Sequence, residues 1–199
     1  MDCKILPFLG LPFYNFFAGV ELEPVTAILS STHTNVHVGA SKCIDGNTEG
    51  PDEGFHHGAR ADYCLTQNEP LPWIAIDYGT TVTVQKVEIF NRRAERFKLR
   101  TRNIFVRISD ELPTSGNLMF SGGTLLGNFA GTAAVGQHIT ISGKKSPRKL
   151  LKNVPGQPKS GRFVIVQMDN GLDMPLNLKE VKSSGFLILH NPLMSNILI

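Results

Sequence analysis

Residues 81–110 read TVTVQKVEIFNRRAERFKLRTRNIFVRISD, and how this stretch divides decides the fold. Both of its ends alternate apolar and polar residues and are rich in Val and Ile, the pattern of a strand with one face in a core. The middle is cationic: from Lys86 to Arg107 there are eight Lys or Arg, against only Glu88 and Glu95. The unit is therefore two strands joined by a basic loop. Like charges in a compact loop repel unless water, carboxylates or an incoming ligand offset them.

Outward from this unit the same alternation recurs in IAIDYG (74–79), HITIS (138–142), RFVIVQM (162–168) and LNLKEVK (176–182). Turn formers separate these runs, most clearly in SDELPTSGN (109–117), GKKSPRKLLKNVPGQPKSG (143–161) and DNGLDMP (169–175). No segment sustains a helical period beyond two turns, and no internal repeat is present. Strands at this spacing predict an all-β domain, a jelly-roll-like β-sandwich. Its predicted core comprises Trp73, Ile74, Ile76, Val87, Ile89, Ile104, Val106, Ile108, Val164, Val166 and Leu178.

A chain of 199 residues, 41% apolar and 19% charged, suits one globular domain. The net charge of +3 is modest and gives no nucleic-acid partner, but a second basic cluster, Lys144 to Arg162, holds seven Lys or Arg and no acid. Such clusters are either solvated faces or docking sites for anionic or hydroxyl-rich ligands. Residues 1–20 read as a signal peptide or a disordered N-terminus, with Lys4 ahead of an apolar run that Asp2, Asn15 and two prolines interrupt. Nothing else approaches a membrane span. Loss of Cys3 with a signal peptide leaves Cys43 and Cys64, either paired in an oxidising compartment or buried as free thiols.

The segment before Trp73, GASKCIDGNTEGPDEGFHHGARADYCLTQNEPLPW (39–73), is nearly all turn formers. A coil of this length in a compact domain needs a tie, and a disulfide or a metal could supply one. Asp45 and Asn47, around a glycine, and the distant Glu180 offer oxygens suited to a hard cation such as Ca²⁺. Catalysis finds little support: Gly-x-Ser-x-Gly, His-Glu-x-x-His, a phosphate loop and zinc-type Cys spacing are all missing, so the protein reads as no enzyme. His56 and His57, beside Asp52 and Glu53, read as a solvated pair. Arg92 ends one strand and Arg100 opens the next, which predicts that both guanidinium groups project from one rim. Such rigid forks of donors suit vicinal sugar hydroxyls and a ring oxygen.

Four pieces in order, CIDGN, YCLT followed by PLPWIAIDYG, VEIFNR with RTRNIFVRISD, and GRFVIVQM with LNLKEV, resemble the F-type lectins, the fucose-binding group of discoidin-like domains. The resemblance runs across roughly residues 35–183 and sets a domain at 33–185, with 186–199 as a C-terminal tail. It implies a secreted, calcium-stabilised, non-enzymatic lectin of the F5/8 type C-like, galactose-binding-domain-like fold, with fucosylated glycans as partners and homo-oligomers as one form. By position it implies that Arg92 and Arg100 hold the sugar, with Glu95 near the family's Asp and Thr66 where the family has a His. Phe97 or Phe55 would pack on the sugar's apolar face. The implied calcium ligands are Asp45, Asn47 and Glu180, with Lys42 and Tyr63 through their backbones. Where the family pairs its loop Cys with one in the last strand, this chain has Lys179, so Cys64 pairs with Cys43 or stays reduced. The alternative is a discoidin-like adhesion module that binds acidic lipid, sulfated glycan or protein through its basic loops.

Overall fold

The structure, a computed structural model, describes residues 19–33, 38–49, 62–143, 158–169 and 171–186, without the side chains of Arg96 and Lys98. The described residues form nine strands, in chain order β1 (Val20–Glu21), β2 (Thr26–Leu29), β3 (Cys64–Leu65), β4 (Trp73–Asn91), β5 (Arg102–Ser109), β6 (Thr124–Thr132), β7 (His138–Ser142), β8 (Lys159–Met168) and β9 (Asn177–Phe186). All pairings are antiparallel. The described residues include two short 3-10 turns, Ala40–Cys43 and Glu95–Arg100, and no α-helix.

The architecture turns on β4, which spans 19 residues and serves two layers. Its first half lies between β2 and β8, and β5 and then β6 continue that layer. Its second half lies between β7 and β9, and β9 also carries β1 and β3. The register shifts between Asp77 and Val82, where Gly79 takes φ +70, a left-handed conformation that costs a side-chain-bearing residue energy. The two runs, separate in the sequence pattern, are thus one strand bent at a glycine and ending at Asn91, so Arg92 lies just past β4 and Arg100, on the 3-10 turn, just before β5 rather than within either strand.

Every residue of the predicted core is buried. The inward positions of both halves of β4 (Ile74, Ile76, Val84, Val87, Ile89) meet those of β5, β7, β8 and β9 in one cluster, as expected for a sandwich. Each such side chain, taken out of water, contributes about 1.5 to 3 kcal/mol. Trp73, Ala75, Phe163 and Ile165 pack on the other face of the first layer beneath Leu112 and Phe120, and the Trp73 indole donates to the Ser115 carbonyl at 3.0 Å.

Three features differ from the sequence pattern. The sheet begins before residue 33, because β1 pairs with β9 and β2 with β4. A strand also occupies Thr124–Thr132, where Gly127, Gly131 and many exposed positions obscure the alternation. Lys159, Ser160 and Gly161 extend β8 out of the expected loop. Cys43 and Cys64, both fully buried, form a disulfide that ties the turn-rich segment to β3. His56, His57, Phe55, residues 1–18, most of the 144–162 basic cluster and the C-terminal tail beyond Phe186 lie outside the described residues. From that cluster, Arg162 donates to both Asp77 oxygens at 2.8 Å and is committed to the fold.

Candidate functional site

The loop between β4 and β5 is built around one aromatic ring. Phe97, on the 3-10 turn, receives the Arg92 guanidinium at 4.6 Å and that of Arg100 at 4.2 Å from its ring centre. Arg92 also lies 3.7 Å over the ring of Tyr63. The two arginines expected at one rim therefore converge, joined by Phe97 and floored by Tyr63. Cations over aromatic faces gain about 0.5 to 2 kcal/mol, which offsets repulsion between the guanidinium groups. Arg92 is 3% exposed and Arg100 half-buried, so the two are not equally accessible.

The β6–β7 connection fixes both ends of this loop. Gly136 N–H donates to the Arg92 carbonyl at 2.9 Å, the Asn91 amide donates to Ala134 O at 2.7 Å, and Ala133 N–H donates to Thr101 O at 2.9 Å. Past the loop, Asn103 takes φ 43, a conformation Asn tolerates, and its side-chain oxygen accepts from Gly131 N–H. Arg93 points away and pairs with Glu49 at 2.6 Å in solvent. Glu95 sits exposed on the first residue of the turn.

Thr66 is fully buried, and its hydroxyl is committed. It donates to Gln67 O and accepts from Leu176 N–H, each at 2.9 Å, which pins the end of β3 to the segment before β9. The position where the resemblance places an imidazole thus holds a group turned into the backbone.

The expected calcium residues assemble around β9. Asp45, Gly46 (φ +79) and Asn47 form a tight turn in which Asn47 N–H donates to Asp45 Oδ1 at 3.1 Å. Lys42 pairs with Asp45 Oδ2 at 3.0 Å, and the Asn47 amide donates to Asp62 at 3.3 Å. Glu180 is 2% exposed, accepts hydrogen bonds from the Asp45 and Gly46 backbones, and leaves Oε2 buried with no partner. Burial, and then the neighbouring Asp45 carboxylate, push the Glu180 carboxyl up to about 8. A cavity of about 390 Å³ opens here, and Asp45, Gly46, Glu180, Glu21, Glu23 and Lys182 are among its lining residues. A partnerless buried carboxylate oxygen beside a second carboxylate is an arrangement that a hard divalent cation fits. Among the described residues no three His, Cys, Asp or Glu side chains form a metal cluster, so carbonyls such as those of Lys42 and Tyr63 would have to complete the shell.

Sequence reasoning placed the arginines, the acidic turn and Glu180, but not the ring of Tyr63 beneath Arg92, nor Asp62 beside Asn47. Alternation along β3 puts Tyr63 and Leu65 on one face, a signal that a two-residue strand is too short to announce.

A two-layer antiparallel sandwich with a basic loop at one end and an Asp-Gly-Asn turn closed on its last strand is a β-sandwich of the discoidin-like fold. Among solved structures, the chain is similar to an F-lectin (fucolectin) from striped bass (Morone saxatilis) serum, with TM-score 0.62 and 23% identity over 83% of this chain; the match covers 47%, about half, of that protein. It is also similar to the lectin domain of lectinolysin complexed with Lewis B antigen (TM-score 0.57, 20% identity, 83% and 96% of the two chains). A fucose-binding module of Streptococcus pneumoniae matches with TM-score 0.56 and 18% identity over 84% and 99%. No protein-family model and no curated protein sequence matches the chain.

Proposed function

We propose that this protein is a non-catalytic carbohydrate-binding lectin, with fucosylated glycans as its ligand class. The observation that carries the reading is the convergence of Arg92 and Arg100 on Phe97 over Tyr63. Guanidinium forks donate to sugar hydroxyls and a ring oxygen, while aromatic rings cover the apolar face of a sugar. The solved structures similar in fold include a fucose-binding module and a lectin domain bound to Lewis B. Arg100 is the more accessible cation of the pair, and Arg92, against Tyr63, is the deeper one. Because the Thr66 hydroxyl is committed to backbone, binding is weaker than with an imidazole there, or differently selective.

Calcium belongs to the same reading. Asp45, Asn47 and Glu180, with the carbonyls of Lys42 and Tyr63, would hold the ion, whose positive charge relieves the repulsion between the buried Glu180 carboxylate and the exposed Asp45. These residues join the turn-rich segment to β9, so the ion acts on stability. The Cys43–Cys64 bond supports secretion, since disulfides persist in oxidising compartments.

The test is binding to immobilised neutral fucosylated, galactosylated and sulfated glycans, with calcium, at low and high salt. Hydrogen-bonded recognition of neutral fucosylated glycans survives high salt. Binding confined to sulfated glycans and abolished by salt would replace this reading with surface adhesion through exposed charge.

A further inference from the structure

Asn177 opens β9 at 1% exposure, and neither its side-chain nitrogen nor its side-chain oxygen has a hydrogen-bond partner. Its backbone carbonyl is satisfied by the Thr101 hydroxyl at 2.8 Å, which ties it to the residue following Arg100. Asn177 pairs in register with Leu65, so the two side chains share a face, and alternation puts Tyr63 on that face. The next residue of β9, Leu178, pairs with Asn91, the last residue of β4, so Arg92 follows directly on the strand end beside Asn177. Arg92 in turn covers the Tyr63 ring. The unmet amide therefore lies in the same layer as the Tyr63–Arg92 stack and next in chain contact to the Arg100 end of the loop.

A buried amide with donor and acceptor both unmet costs about 1 to 3 kcal/mol, so its retention calls for an explanation outside the free fold. We infer that Asn177 is a specificity-determining residue of the carbohydrate site, its amide donating to and accepting from hydroxyls of the sugar that Arg92 and Arg100 hold. The inference rests on the carbohydrate reading above. Sugar hydroxyls both donate and accept, as the amide does, whereas a sulfate or phosphate would leave the amide oxygen unmatched. Asn177 selects hydroxyls, and the arginines alone do not. The two residues are buried alike, Asn177 at 1% and Arg92 at 3% exposure, so a sugar held by Arg92 meets Asn177 at the same depth.

The experiment measures binding of L-fucose and of the Lewis b tetrasaccharide by calorimetry, with ligand-free thermal melts, for the wild type, Asn177→Leu and Asn177→Ala. Expected is at least a tenfold loss of affinity in both variants, with ligand-free Asn177→Leu melting no lower than the wild type, since it exchanges an unmet amide for an apolar group of similar size. Wild-type affinity in both variants overturns the inference and leaves the carbohydrate reading standing. So does Asn177→Leu melting several degrees lower together with unchanged binding by Asn177→Ala, because the amide would then serve the free fold. If Asn177→Leu does not fold, Asn177→Ala decides by its affinity. A wild type that ignores both sugars removes the carbohydrate reading and this inference with it.

Discussion

Replacing Glu180 by Gln tests the proposed calcium site apart from the surrounding fold. Without a cation the folded protein holds the Glu180 proton up to about pH 8, against an ordinary value of 4.5 in the unfolded chain. A raised folded value means that the associated stability is complete below about pH 4.5 and is lost as pH rises through about 8. At pH 7 the penalty is about 3 kcal/mol, and about 2 once solvent screening at the cavity mouth is allowed for. Gln carries no charge to bury. In chelator Glu180→Gln should therefore lose the pH slope and gain about 2 kcal/mol at neutral pH. Saturating calcium reverses the order, because the wild type gains about 2.7 kcal/mol at a hundredfold excess over Kd and the variant lacks the ligand. The assay is urea unfolding followed by fluorescence of the single, buried Trp73, at about pH 5, 7 and 8.5, in chelator and in calcium. An equal loss of stability in calcium and in chelator would refute the reasoning, since Glu180 would then be a structural carboxylate unrelated to any ion.

Other consequences concern the frame. Cys43→Ala with Cys64→Ala opens a loop of sequence separation 21, and urea unfolding should show a loss of about 3 kcal/mol in the chain-entropy account. Gly79→Ala forces a side chain into φ +70 and within 3.1 Å of Val25, so it should cost about 1 to 2 kcal/mol in the same assay. The Arg162 guanidinium holds the Asp77 carboxyl below its ordinary value; that stability is present above the unfolded value of 3.8 and lost as pH falls through the lower, folded one. Asp77→Asn should accordingly be less stable near neutrality and flatter on the acid side, as read by melts across pH.

The fold was legible where burial imposes period two. Val164 and Val166, or Ile104, Val106 and Ile108, alternate because one face of each strand meets the core. It was obscured where that pressure is weak: β6 exposes most of its positions, and β1 and β3 have two residues each. Gly79 reads as a turn in sequence and is a bend within one strand, because a positive φ serves either purpose. For the site, Arg92 and Arg100 could be placed together because each adjoins a strand end. The commitment of Thr66 to Leu176, and the orphaned amide of Asn177, depend on pairings between segments more than a hundred residues apart, which no local pattern encodes.

The central claim, that the arginines on Phe97 carry sugar recognition, is tested most directly by titrating the Lewis b tetrasaccharide into the wild type, Arg92→Ala and Arg93→Ala. Arg93 is the internal control, exposed and paired with Glu49 one position from the stack. The account predicts saturable binding by the wild type, a loss of about 1.5 to 3 kcal/mol in Arg92→Ala, the range for a hydrogen bond to a charged group, and near wild-type affinity in Arg93→Ala. Equal losses in the two variants, or no binding by the wild type, would contradict it.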